Sequence, residues 1–155
     1  EAVAIRFTNV FCKSSNKTRY VVNTCRLRAI KRNKYIFNYD ATIIYELCDV
    51  KVNVQLVKRA NGYKPWLYNL TIDACEFLRK RNNPIIKLIY NIFKDYSNLN
   101  HSCPYNGPVL IDGLYLQPGA IRVPMPTGEY GVMTTWIFDS TMKTYANVYF
   151  EFIED

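Results

Sequence analysis

Apolar and polar residues alternate along most of the chain with a period of two. From Val50 to Lys58, "VKVNVQLVK" sets Val50, Val52, Val54 and Leu56 against Lys51, Asn53 and Gln55, as a strand does when one face is dry and the other wet. Near the end, "TYANVYFEFIE" repeats the pattern, with Ala146, Val148, Phe150 and Phe152 on one side and Tyr145, Asn147, Tyr149 and Glu151 on the other. Looser alternation predicts further strands over Ala4–Val10, Tyr20–Ile30, Tyr35–Tyr45, Trp66–Asp73, Val109–Leu116 and Tyr130–Phe138, separated by turn material such as "RANGYKP", "PTGE" and "FDS". Eight strands, most of them consecutive, predict a mainly β protein, a sandwich or a barrel.

One segment keeps a different period. In "NNPIIKLIYNIFKDYSN" the residues Ile85, Ile86, Leu88, Ile89, Ile92 and Phe93 recur at helical spacing, behind Pro84, suited to a first helical turn, and an asparagine suited to a cap. The spacing predicts one short amphipathic helix near residues 84–96, and "CEFLRKRN" adds a helical turn from Cys75.

Composition narrows the class. The chain has 155 residues, of which 49% are hydrophobic and 15% aromatic, so it can bury a core and is unlike a disordered chain. No apolar run is long enough for a transmembrane helix. The net charge of +7 concentrates in "RLRAIKRNK", "KRANGYK" and "RKRNN". Interleaved tyrosines would suit a nucleic-acid surface, but no DNA- or RNA-binding signature accompanies them, and the compartment argues against such a partner. An anionic lipid surface, a sulfated glycan or an extracellular receptor fits better. The chain opens on Glu1 with no basic-then-apolar leader before "EAVAIRFTNV", as expected of a secreted chain whose signal has been removed. Three glycosylation acceptors, Asn16 in "NKT", Asn69 in "NLT" and Asn100 in "NHS", agree with a secreted, extracellular location.

The five cysteines, at 12, 25, 48, 75 and 103, show no C-x-x-C spacing, so neither a metal site nor a dithiol redox motif is expected. Cys12 and Cys25 flank the polar turn "KSSNKTRY", which suggests a local bridge across a hairpin. Cys75 and Cys103 bracket the helix and would close a longer loop around it. Cys48 is left over, read as a buried free thiol, with an intermolecular disulfide as the alternative. The only histidine, His101, stands two residues before Cys103, but a nucleophilic cysteine must be a free thiolate beside a base, and Cys103 has a candidate disulfide partner. No G-x-S-x-G, P-loop or H-E-x-x-H motif is present. A non-enzymatic protein without a cofactor is the expectation.

Several blocks, "FTNVFC", "CRLRAIKRN", "VKVNVQLVKRANGYKPWLYNLTIDACEFL", "NPIIKLIYNIFKDYSNLNHSCPYNG", "PTGEYGVMTTWIFD" and "VYFEFIE", taken in order, resemble the insect secreted family that includes the CheB chemosensory proteins. That family is considered related to the ML lipid-recognition superfamily. The resemblance covers nearly the whole chain and implies a single ML-like domain over residues 1–155, an immunoglobulin-like β-sandwich of the ML type whose sheets part to hold a lipid, a sterol or a cuticular-hydrocarbon-like pheromone. It matches the family's four cysteines to Cys12, Cys25, Cys75 and Cys103 and leaves Cys48 outside the pattern. It supplies no ligand contacts.

Physical reasoning nominates those contacts. A sandwich with an internal pocket needs large apolar side chains from the strands and a lid, which points to Trp66, Trp136, Phe138 and Phe150 and, on the helix, to Ile85, Ile89 and Phe93. Arg79, Lys80 and Arg81 stand beside the helix to meet an anionic headgroup. The expected protein is a monomer. The rival expectation is an extracellular protein-interaction module with a fully packed sandwich and no pocket, with a Cys48-linked dimer as its mark.

Overall fold

The computed structural model describes residues 2–121 and 124–154. Its elements run β1 (Ala2–Ser14), β2 (Tyr20–Lys31), β3 (Lys34–Leu47), β4 (Val50–Arg59), β5 (Tyr63–Asp73), α1 (Ala74–Lys80), α2 (Pro84–Phe93), β6 (Tyr105–Tyr115), β7 (Gly128–Phe138) and β8 (Met142–Glu154). A tighter turn over Lys94–Tyr96 extends α2. The strands form two antiparallel sheets, β1-β8-β7-β4-β5 and β2-β3-β6, stacked as a sandwich.

The period-two pattern becomes the inner faces. In β3, Phe37, Tyr39, Ala41 and Ile43 are buried while the residues between them are only half-buried. In β4, Val50, Val52 and Val54 are buried as expected, but the alternation slips after Gln55: Leu56 is half-buried and Val57 is buried instead. The slip coincides with a register break against β5, where Gln55 faces Asn69 and Val57 faces Pro65, so β5 carries extra residues at that point.

One flank of the sandwich is tightly closed. Phe7 of β1 meets Phe37 of β3, with ring centroids 6.1 Å apart, and Tyr20 of β2 meets Phe138 of β7 at 5.0 Å. The Cys12–Cys25 disulfide joins β1 to β2 at a Cα separation of 6.2 Å. This bridge does not cross a hairpin: β1 pairs with β8 and β2 with β3, so the staple ties one sheet to the other. The intervening turn, in which Arg19 and Tyr20 donate backbone N–H bonds to the Asn16 carbonyl, carries the chain between sheets.

The other flank is bounded by the edge strands β5 and β6, and the chain between them crosses from sheet to sheet through both helices. Asp73 caps α1 by accepting from the Glu76 N–H at 3.0 Å. Asn83 caps α2 by accepting from the N–H groups of Ile85 and Ile86, each at 3.1 Å, with Pro84 in the first turn where its missing N–H costs nothing. The Cys75–Cys103 disulfide fastens the start of α1 to the approach to β6.

Cys48 is exposed, not buried. Leu47, only 1% exposed, takes the inward position at the end of β3, so the next residue faces out into the turn before β4. Desolvation and the neighbouring Glu46 carboxylate push its thiol above the ordinary value.

Candidate ligand cavity

Because the sheets are pinned along β1 and β2 and bridged by helices at β5 and β6, the space between them is not filled. A cavity of about 360 Å³ remains, toward the lower end of the range for small-molecule sites. Its wall carries no charged side chain among the described residues.

Strands β7 and β8 supply one side. Tyr130, Val132, Thr134, Trp136 and Phe138 share the inner face of β7, opposite Ala146, Val148 and Phe150 of β8. Two small residues, Thr134 and Ala146, face each other in this wall, and Trp136 is the next inward residue on β7. Thr134 donates its hydroxyl to the Ala146 carbonyl and accepts the Trp136 indole N–H at 3.0 Å, so these polar atoms are satisfied within the wall.

Helix α2 forms the lid. Ile86 and Tyr90 are buried, and Ile85, Ile89 and Phe93 are half-buried along the cavity side. Tyr90 anchors the lid: its hydroxyl donates to the Leu99 carbonyl at 2.6 Å, and its ring takes edge contacts from Phe77 and Phe93. The cavity reaches the surface at the irregular part of β5. There Pro65 and the left-handed backbone of Leu67, with φ of 59°, interrupt regular pairing, so that Trp66, Leu67 and Tyr68 all touch the cavity. Leu67 and Leu88, 61% and 42% exposed, mark the mouth.

All of the nominated side chains, Trp66, Ile85, Ile89, Phe93, Trp136, Phe138 and Phe150, therefore meet on one cavity wall. The nomination missed the opposite sheet, which contributes Tyr20, Phe37, Tyr39 and Leu114. The alternation in Tyr35–Tyr45 held the signal for Phe37 and Tyr39, since both fall on its dry face.

The basic residues near the helices are exposed, and they are not equivalent. Lys80 pairs with Glu76 at 3.8 Å, and Arg81 lies over the Tyr90 ring and donates to the Leu78 carbonyl at 3.1 Å. Arg79 has no such partner among the described residues. Cys103 is bonded to Cys75 and has no thiolate to offer, while His101 stacks on Tyr105 and donates to the Ser102 carbonyl. Asn69 and Asn100 are exposed, and Asn16 is half-buried in the turn after β1, where its side chain accepts from Thr18.

Residues 52–132, just over half of the chain, match the family described as "Protein of unknown function (DUF1091)". The chain belongs to this family. The matched stretch starts in β4 and ends in β7, so it takes in the mouth, both helices and the Cys75–Cys103 staple, and leaves out the Cys12–Cys25 flank. No curated protein matches the chain.

Proposed function

We propose that the protein is a secreted carrier that holds a small apolar ligand, such as a lipid, a sterol or a hydrocarbon-like pheromone, between its two sheets. The observation that carries this reading is the uncharged cavity of about 360 Å³ under a stapled helical lid. The resemblance to the CheB proteins and the ML superfamily supports it independently and extends it to chemosensation. Two disulfides fit an oxidising, extracellular compartment, and no helix among the described residues is long and apolar enough to cross a membrane.

The mechanism is transfer and not chemistry. Burying an apolar chain gains about 0.8 kcal/mol per methylene, so a ten-carbon tail supplies roughly 8 kcal/mol before the cost of immobilisation. Arg79 and Lys80 draw the mouth toward an anionic lipid surface, and α1 and α2 swing on their disulfide to admit the ligand. The carrier works as a monomer.

Native mass spectrometry of protein secreted from an insect host, followed by organic extraction, tests the reading. The expected result is a stoichiometric apolar species that is lost in Phe93→Asp while the circular dichroism spectrum is kept. An apo mass together with no uptake of fluorescent fatty acids or long-chain hydrocarbons overturns it. The exposed thiol of Cys48 favours a second reading, an extracellular interaction module assembled as a disulfide dimer or on a receptor. A dimer on a non-reducing gel that disappears in Cys48→Ser would support that alternative.

A further inference from the structure

The polar groups on the cavity wall are nearly all consumed by the protein itself. Tyr90 donates to the Leu99 carbonyl, Tyr105 to the His101 carbonyl and Tyr130 to the Pro126 carbonyl, while Thr134 and the Trp136 indole bond within the wall. Tyr68 and Trp66 stand at the mouth, within reach of water. Tyr20 and Tyr39 are different. They are 5% and 7% exposed, and their hydroxyl oxygens lie 2.6 Å apart with no other side-chain or backbone partner among the described residues.

Two hydroxyls carry two protons, and the bond between them uses only one. The second O–H has no acceptor among the described residues, and a buried donor left so costs about 1–3 kcal/mol. Water is a poor remedy, since a buried water needs two to four polar partners and the surrounding wall, with Phe37 and Phe138 beside the pair, is apolar. The donor is also permanent. Burial pushes the Tyr39 phenol up to about 12 and raises the Tyr20 phenol as well, with the neighbouring tyrosine adding to the effect on Tyr20. The hydroxyl that donates onward is strengthened by the bond it accepts.

We propose that the cavity selects a neutral apolar molecule bearing one acceptor oxygen, as in a ketone, ester or ether, and that the Tyr20–Tyr39 pair donates its spare proton to that oxygen. This rests on the carrier reading and sharpens it: a pure hydrocarbon leaves the proton unmatched. An ionised carboxylate would be buried against a wall with no cation among the described residues, so a fatty acid binds only with its head at the mouth.

The test compares dodecane, its methyl ketone and dodecanoic acid, by displacement of a fluorescent naphthylamine probe, in the wild-type protein and in the double variant Tyr20→Phe/Tyr39→Phe. The wild-type protein is expected to prefer the ketone over the alkane by about fivefold to tenfold, the worth of one hydrogen bond. The double variant should lose that preference, binding ketone and alkane with equal affinity. Both single variants are informative, because either remaining hydroxyl can still donate, so each should keep part of the preference. Equal affinity for ketone and alkane in the wild-type protein, or a preference that survives in the double variant, overturns the inference while leaving the carrier reading intact. Failure of all three ligands to bind the wild-type protein brings down both. Should the double variant not fold, the infrared carbonyl stretch of the bound ketone decides: a shift to lower frequency than in alkane solvent is expected, and an unshifted band overturns the proposal.

Discussion

The two flanks of the sandwich use the same device to opposite ends. Each has a disulfide: Cys12–Cys25 at β1 and β2, and Cys75–Cys103 at the helices. On the first flank the staple reinforces direct contact between sheets, through Phe7 on Phe37 and Tyr20 on Phe138. On the second it holds a helical segment across a space that the strands do not close. The first side is a seam where rings of the two sheets touch at the cavity's edge, and the second is a helical lid over the same cavity. The same covalent link thus ties sheet to sheet on one flank and helix to strand approach on the other.

Truncating one aromatic on each flank should separate the two most clearly. Phe7, 3% exposed, also borders the cavity but meets Phe37 across the two sheets, so Phe7→Ala is expected to cost about 3–5 kcal/mol in urea unfolding through the loss of a fully buried ring and of that contact. Phe93 is half-buried and borders space that is already open, so Phe93→Ala should cost only about 1 kcal/mol while weakening ligand uptake. Equal losses would mean that the lid is as much core as the seam.

Removing each disulfide sharpens the contrast further. The loops closed span 13 and 28 residues, and chain entropy assigns each bridge on the order of 3 kcal/mol. The distribution should differ. Cys12→Ala/Cys25→Ala is expected to lower amide protection across both sheets, whereas Cys75→Ala/Cys103→Ala should raise exchange mainly in α1 and α2. Global loss of protection in the second variant would break the distinction.

A smaller effect belongs to the tyrosine pair. The Tyr39 phenol is raised from 10.0 to about 12 by burial, so the folded state keeps a proton that the unfolded chain releases. The stabilisation is complete below pH 10.0 and is lost as pH climbs toward about 12, at roughly 1.4 kcal/mol per pH unit for one proton. Thermal melts across that window should show a fall in midpoint that is shallower in Tyr39→Phe. A parallel fall in that variant would assign the alkaline loss to other groups.

Much of this was legible along the chain. Strict alternation at Val50–Val54 and in β8 marked strands because a pleated surface with one dry face demands period two. The helix announced itself by its spacing, its Asn83 cap and Pro84. The large apolar residues nominated for a pocket gather on its wall, since bulk on an inward face must border whatever the interior contains. Tyr20 and Tyr39 went unnoticed because only their mutual approach distinguishes them from other buried tyrosines.

The sequence by itself determined which segments are strands, which are helical, which way most side chains face and which cysteines lie near enough in sequence to bracket a feature. Those properties follow from local periodicity and from backbone groups that must be capped. Only the tertiary structure decided that β1 and β2 lie in different sheets, so that a bridge expected across a hairpin became a tie between layers. It also turned Cys48 outward beside Leu47 and brought the Tyr20 and Tyr39 hydroxyls together among residues that line the cavity. A period assigns a face but no partner, and empty space exists only once the distance between two sheets is set.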